Sequence, residues 1–246
     1  MSRWGRVVLA VVTAGMGLIP IALASSSSVA VGHPPIIRLR EGTSSNWSGY
    51  AAYGAAGRFS SVAATWTQPT VSCTAQNGYS SYWVGLDGYN TSTVEQLGTE
   101  GDCINGSPQY YAWYEMYPKR SAFISSLTVT PGHTYSASVV AGVGGSFVLQ
   151  LTDSTIGMSY TTPQRLNHAA VASAEAVVEA PSNGKVLPLA NFGTASFSGV
   201  KVNGQPIGSF APNLDPITML NPAGTKATPS KLDSTGEQFS DTWSSS

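Results

Sequence analysis

An all-β domain, either a sandwich or a barrel, is the fold class this sequence predicts, and three observations carry the prediction. From Thr43 onward, short runs of β-branched and aromatic residues alternate with Gly, Pro, Asn and Ser, the texture of many short strands joined by turns. Twenty-six Gly and fifteen Pro in 246 residues argue against a helical bundle, because both residues break helix interiors. Charged residues make up 10% of the chain, and most of the strand-like runs carry none.

Taken in order, the chain begins with a different composition. Arg3 and Arg6 precede an apolar run at residues 7–24, and small residues follow at 22–24 and 28–30. That pattern reads as a secretory signal peptide over residues 1–24, with cleavage as late as 30. A run of about 18 residues is at the lower limit for spanning a bilayer, and Pro20 with the small residues favours cleavage over anchoring. No second run of that length follows, so the mature protein is expected to be secreted and not held in a membrane. Residues 25–42, Ser-rich and then HPPIIRLREG, read as a short leader or propeptide. Residues 43–246 show no repeat and no linker and read as one domain.

Within it the expected strands are SVAATW (61–66), SYWVGLDG (81–88), YYAWYEMYP (110–118), LTVTPG (127–132), YSASVVA (135–141) and SFVLQLTD (146–153). EAVVEA (175–180), GTASFSGV (193–200) and FSDTW (239–243) complete them. Only residues 163–178 argue for a helix, and Val177 and Val178 with the flanking prolines favour a strand at its end. Cys73 and Cys103 are an even pair in an exported chain and read as a disulfide. Its loop of about 30 residues contributes roughly 3–4 kcal/mol in the chain-entropy model.

Composition and motifs exclude several classes of function. The net charge is −1 with no basic run, so nothing attracts a nucleic-acid backbone. His33, His133 and His168 have no metal-ligand spacing, and HExxH is absent. There is no GxSxG elbow, no paired Asp-Thr/Ser-Gly and no GxGxxG; no metal and no cofactor is expected. His133 and His168 read as surface residues. Carboxylates and amides remain. In AEAVVEA (174–180) strand alternation puts Glu175, Val177 and Glu179 on one face and Ala176, Val178 and Ala180 on the other. On alternation alone, the face with two carboxylates reads as a solvated edge. Two carboxylates such as Glu115 and Glu179 also leave glycoside hydrolysis open, and the Gly and aromatic content leaves open a non-catalytic, lectin-like carbohydrate-binding sandwich.

Seven segments in order resemble the glutamic peptidases, or eqolisins, of peptidase family G1. They are SSNWSGY (44–50), FSSVAATWTQPTVS (59–72), YWVGLDGYN (82–90), VEQLGTEGDC (94–103), YYAWYEMYP (110–118), AEAVVEAP (174–181) and LPLANFGTASF (187–197). The resemblance implies a concanavalin-like antiparallel β-sandwich of two packed sheets with a catalytic dyad on its concave face. It places the catalytic Gln at Gln96 and the catalytic Glu at Glu179, and it puts Trp47, Trp83, Asp87, Glu100 and Glu115 at cleft positions that bind substrate. Three departures from the family pattern are Glu100, where fungal relatives have Asp, Ala176, where an aromatic is common, and a Trp83–Gln96 spacing one residue short. The implied protein is a monomeric, metal-independent, pepstatin-insensitive acid endopeptidase acting on polypeptides. In it Glu179 activates a water and the Gln96 amide stabilises the oxyanion. Trp113 reads equally as groove or core.

Overall fold

The computed structural model describes Met1, residues 31–74 and residues 76–246. Apart from Met1, the expected signal peptide lies outside the described residues. The strands, in chain order, begin with β1 (Arg38–Arg40), β2 (Thr43–Ser44), β3 (Trp47–Tyr53), β4 (Ser61–Thr67), β5 (Ser81–Leu86), β6 (Val94–Ile104) and β7 (Ser107–Tyr117). They continue with β8 (Ala122–Phe123), β9 (Thr134–Ala141), β10 (Ser146–Asp153), β11 (Met158–Arg165), β12 (Ser173–Glu179) and β13 (Thr194–Val202). The last four are β14 (Gln205–Pro206), β15 (Leu214–Asn221), β16 (Gly224–Pro229) and β17 (Phe239–Trp243). No helix among the described residues is long and apolar enough to cross a membrane.

Two antiparallel layers result. One runs β8-β7-β6-β5-β12-β3-β15. The other runs β16-β17-β13-β4-β9-β10-β11. β15 belongs to both, pairing with β3 through Leu214–Ile217 and with β16 through Met219–Asn221. The sandwich core is built by alternation: Ala174, Ala176 and Val178 of β12, Tyr82, Val84 and Leu86 of β5 and Leu97 of β6 face Val62, Ala64 and Trp66 of β4 and Leu149 and Leu151 of β10. Burying this apolar surface drives the collapse, at about 25 cal/mol per Å². Cys73 and Cys103 are joined as expected.

The structure changes two expectations and decides a third. LTVTPG is not a strand. Its backbone turns instead, with the Thr130 N–H donating to the Tyr135 hydroxyl (2.8 Å) and the His133 N–H to the Thr130 carbonyl (3.1 Å). Leu127 and Val129 still reach the core, so their apolar side chains report burial and not a ladder. Residues 163–178 form no helix, and the strand favoured at their end is present as β12, from Ser173. Finally, β12 is buried on both faces, because its second face is covered as well.

Candidate active site

The strand registers decide which side chains share the second face. Glu179 of β12 lies opposite Ser81 of β5, which lies opposite Glu100 of β6, which lies opposite Tyr111 of β7. The next row on the same face is Val177, Trp83, Gly98 and Trp113, and the third is Glu175, Gly85, Gln96 and Glu115. Trp47 of β3 stands beside Glu179. The resemblance assigned seven cleft residues, and six of them fall on this face. Neighbouring strands are about 4.8 Å apart, so β5 alone separates the strand of Gln96 from that of Glu179.

Glycine makes room for the central tryptophan. A Cβ on Gly98 would lie 2.1 Å from the Tyr82 carbonyl oxygen and 2.6 Å from Trp83 Cβ. The colliding atom is backbone and has nowhere to go. Gly98→Ala is therefore expected to cost about 2–3 kcal/mol as an overpacked site, read as a lower denaturant midpoint with an unchanged slope.

Glu179 is fully buried. Trp83 Nε1 donates to its Oε2 (2.9 Å) and Asn46 Nδ2 to its Oε1 (3.3 Å). Burial pushes its pKa well above the ordinary carboxylate range; the His33 charge works against the shift, and Glu115 and Glu100 reinforce it. Trp47 packs edge-on against Trp83, ring centroids 4.9 Å apart. Gln96 donates from Nε2 to the His33 carbonyl oxygen (2.6 Å) and to Glu115 Oε2 (3.3 Å), while its Oε1 is buried without a partner. Such an orphaned acceptor is costly unless something donates to it.

The groove over this face is filled by the chain itself. Gly32 and Ser182 exchange both backbone hydrogen bonds (2.8 and 2.9 Å). The Pro34 and Pro35 carbonyls accept from Asn46 Nδ2 (3.5 and 3.3 Å), the Ile36 N–H donates to the Gly88 carbonyl (3.1 Å) and the Ile37 N–H donates to Asn46 Oδ1 (2.7 Å). Arg38 lies over the Tyr89 ring at 4.0 Å and ends the segment. His33 is fully buried. Its ring stacks on Trp113 with centroids 3.5 Å apart and planes 3° apart. Its Nε2 is 2.7 Å from Glu100 Oε1, and its Nδ1 is 3.3 Å from Glu115 Oε2. Ser81 Oγ also donates to Glu100 Oε1. Burial opposes a charge on this imidazole, but the hydrogen bonds of Glu100 and Glu115, with the charges of Glu100 and Glu179, outweigh it and raise the His33 pKa to about 10.

Asp87 is the expected cleft residue that the fold takes elsewhere. It sits in left-handed backbone (φ 68°), and its carboxylate accepts the Val171 and Ala172 N–H groups (2.7 and 2.8 Å), so it brackets the loop before β12. Glu175 is on the groove face but fully buried, both oxygens unpartnered. The solvated-edge reading of that face is thereby corrected: the Trp47, Trp83, Val177 and Ile217 cluster and the 31–37 segment exclude solvent from it. Three contributors were missed: His33, Asn46 and Ser81. HPP in the leader and the Asn of SSNWSGY were visible, but nothing local ties them to strands so far along the chain.

Comparison with known proteins gives consistent results. Residues 45–239 match the profile of the Peptidase A4 family. A stretch of 113 residues is 34% identical to scytalidopepsin B of Scytalidium lignicola, covering 46% of this chain. That match spans 42% of the relative's own length. Among solved structures, scytalido-glutamic peptidase with a transition state analog inhibitor superposes with a TM-score of 0.69 at 24% identity, over 81% of this chain and 98% of that one. Aspergilloglutamic peptidase from Aspergillus niger superposes at 0.60 with 23% identity, over 68% of this chain and 99% of that one. At these identities the structural matches establish a shared fold.

Proposed function

Since the chain belongs to the Peptidase A4 family, we propose that it is a secreted glutamic endopeptidase that hydrolyses polypeptides with Glu179 and Gln96 as its catalytic pair. The observation that carries the reading is the 2.6 Å hydrogen bond from Gln96 Nε2 to a peptide carbonyl in the groove. An amide that already donates to a carbonyl is suited to hold the oxyanion that carbonyl becomes. Removing one such donor typically costs about 10²–10³ in rate. The unpartnered Gln96 Oε1 supplies an acceptor for the attacking water.

The reaction follows from these groups. Ionised Glu179 takes a proton from water, and the water oxygen bonds to the carbonyl carbon. The oxyanion accepts from Gln96. The Glu179 carboxyl then gives its proton to the leaving nitrogen as the C–N bond breaks. No step requires a metal, so activity is expected to survive chelators, and without an aspartic dyad it is expected to survive pepstatin-like inhibitors. An acid optimum belongs to the same reading. When residues 31–37 leave the groove, the burial that raises Glu179 falls away, and a hydrated carboxyl returns toward an ordinary pKa of about 4.3. Residues 25–42 are then a propeptide, and the mature domain works as a monomer outside the cell.

A polypeptide segment lying in the groove favours peptide over sugar as substrate, so the lectin-like and glycosidase readings have no comparable support. The test is digestion of a denatured protein at pH 3–4 by wild type and Gln96→Ala, with and without a chelator. A rate about 10²–10³ lower in Gln96→Ala, with no effect of the chelator, is expected. Equal rates for the two proteins would remove Gln96 from the chemistry.

A further inference from the structure

Residues 31–37 cross the groove with a fixed polarity. Gly32 forms an isolated antiparallel bridge with Ser182, and the His33 N–H donates to Glu115 Oε2 (2.8 Å). The His33 carbonyl sits on Gln96, and the next two carbonyls turn to Asn46. This register puts the imidazole of His33 on the residue that contributes the carbonyl held by Gln96, with Gly32 and the buried Val31 before it. We propose that Glu100, Glu115 and Trp113 form a subsite that selects histidine, as imidazolium, for the residue contributing the carbonyl of the bond cut, and that the chain's own His33 fills it. The proposal rests on the peptidase reading above.

The shape and polarity of the pocket both point to this side chain. Trp113 presents a flat wall 3.5 Å from the ring and parallel to it within 3°, which only a planar side chain matches. Glu100 Oε1 is hydrogen-bonded to Nε2 (2.7 Å), while Glu115 Oε2 lies 3.3 Å from Nδ1 as a charge contact without a hydrogen bond. Imidazolium is the one short planar side chain with a donor on each side. A phenyl ring would stack equally well but would leave two buried carboxylates without a cation, the costly case for a buried charge. A lysine ammonium has no plane to stack. Arginine is planar but longer, and Glu100, tied down by Ser81, closes the pocket at imidazole depth. The charged and titratable groups facing the ring come from β6 (Glu100), β7 (Glu115) and β12 (Glu179).

The full-length His33→Ala protein empties the pocket and provides the test. Calorimetric titration with N-acetyl-Val-Gly-His-amide and N-acetyl-Val-Gly-Ala-amide is expected to show the histidine peptide binding about tenfold or more tightly, as a charge-assisted hydrogen bond gives. Adding Glu115→Gln is expected to remove most of that preference. In a digest of denatured proteins by His33→Ala, new C-termini read by mass spectrometry are expected to be enriched in His over its abundance, and the enrichment to fall with Glu115→Gln whatever the total rate. Should His33→Ala not fold, His33→Ser also empties the pocket and gives the same comparisons. Equal affinities for the two peptides, or new C-termini with no excess of His, overturn the proposal while leaving the peptidase reading standing. Preferential binding with no hydrolysis by any variant overturns the peptidase reading and leaves a histidine-binding pocket.

Discussion

Glu179→Gln is expected to lower the rate of protein hydrolysis by about 10²–10⁴, the range for loss of a general base, whereas Glu175→Gln is expected to keep the rate within an order of magnitude of wild type. The two residues are two turns of the pleat apart on one face of one strand, so the contrast isolates position from residue type. Glu179 is held at the groove by Trp83 Nε1 and Asn46 Nδ2, and Asn46 also holds the Pro34 and Pro35 carbonyls of the segment lying there. A carboxylate held in this way faces the peptide. Glu175 has no hydrogen-bonded oxygen and answers instead to Ser173, Asp87 and Glu95 at the far end of the strand. Gln in place of Glu179 keeps the volume and cannot accept a proton, so a folded, inactive protein is the expected product. Initial rates at pH 3–4 with near-ultraviolet dichroism as the folding control decide the matter; a large loss in Glu175→Gln with little in Glu179→Gln would reverse the roles.

Much of this arrangement was legible in the chain because it is periodic or paired. Alternation placed Ala176, Val178 and Ala180 on the core face, and the same alternation put Glu175 and Glu179 together on the other face. What alternation cannot supply is the neighbour across the sheet. Whether a polar face meets water or a second layer depends on residues far away in sequence, so β12 looked half exposed and is wholly buried. Asp87 follows the same logic in reverse. It stands in an aromatic signature beside cleft residues, yet its left-handed backbone turns the carboxylate to the Val171 and Ala172 amides. His33 was invisible for a third reason: the leader carries little pattern of its own, and its place is fixed by partners 63 to 82 residues later.

Thermal stability is expected to be greatest near pH 4 and to fall steadily toward pH 8. Burial raises Glu95 to about 9, helped by the Asp87 charge, and raises Asp241 to about 8 against the Ser48 hydrogen bond. Burial also pushes Glu175 and Asp102 well above the ordinary range. These acids keep their protons in the folded chain at pH values where the unfolded chain releases them. Their contribution is therefore fully present below the unfolded pKa, near 4.3, and is lost as the pH rises through the folded values near 8 and 9. The His33 contribution has the same sign, present below about 6.5 and lost as pH rises through about 10. Asp153 has the opposite sign: burial raises it, the hydrogen bonds of His133, Thr155 and Tyr135 with the His133 charge together outweigh burial, and its contribution disappears only as the pH falls through its lowered pKa. It sets the acid limb and leaves the neutral limb to the buried acids. At about 1.4 kcal/mol per unit, Glu95 and Asp241 each give up roughly 3–4 kcal/mol between their unfolded pKa and pH 7, a large part of the 5–15 kcal/mol typical of a folded domain. Glu95→Gln keeps the shape and removes the proton that must be held, so it is expected to raise the melting temperature at pH 7–8 by about 6–12 °C and to change it little at pH 4. Calorimetric scans of wild type and Glu95→Gln across pH 3–8 give the answer. A wild-type melting temperature that stays level or climbs from pH 4 to pH 8 would mean that these carboxyls are ionised in the folded chain, with partners the buried sites do not offer.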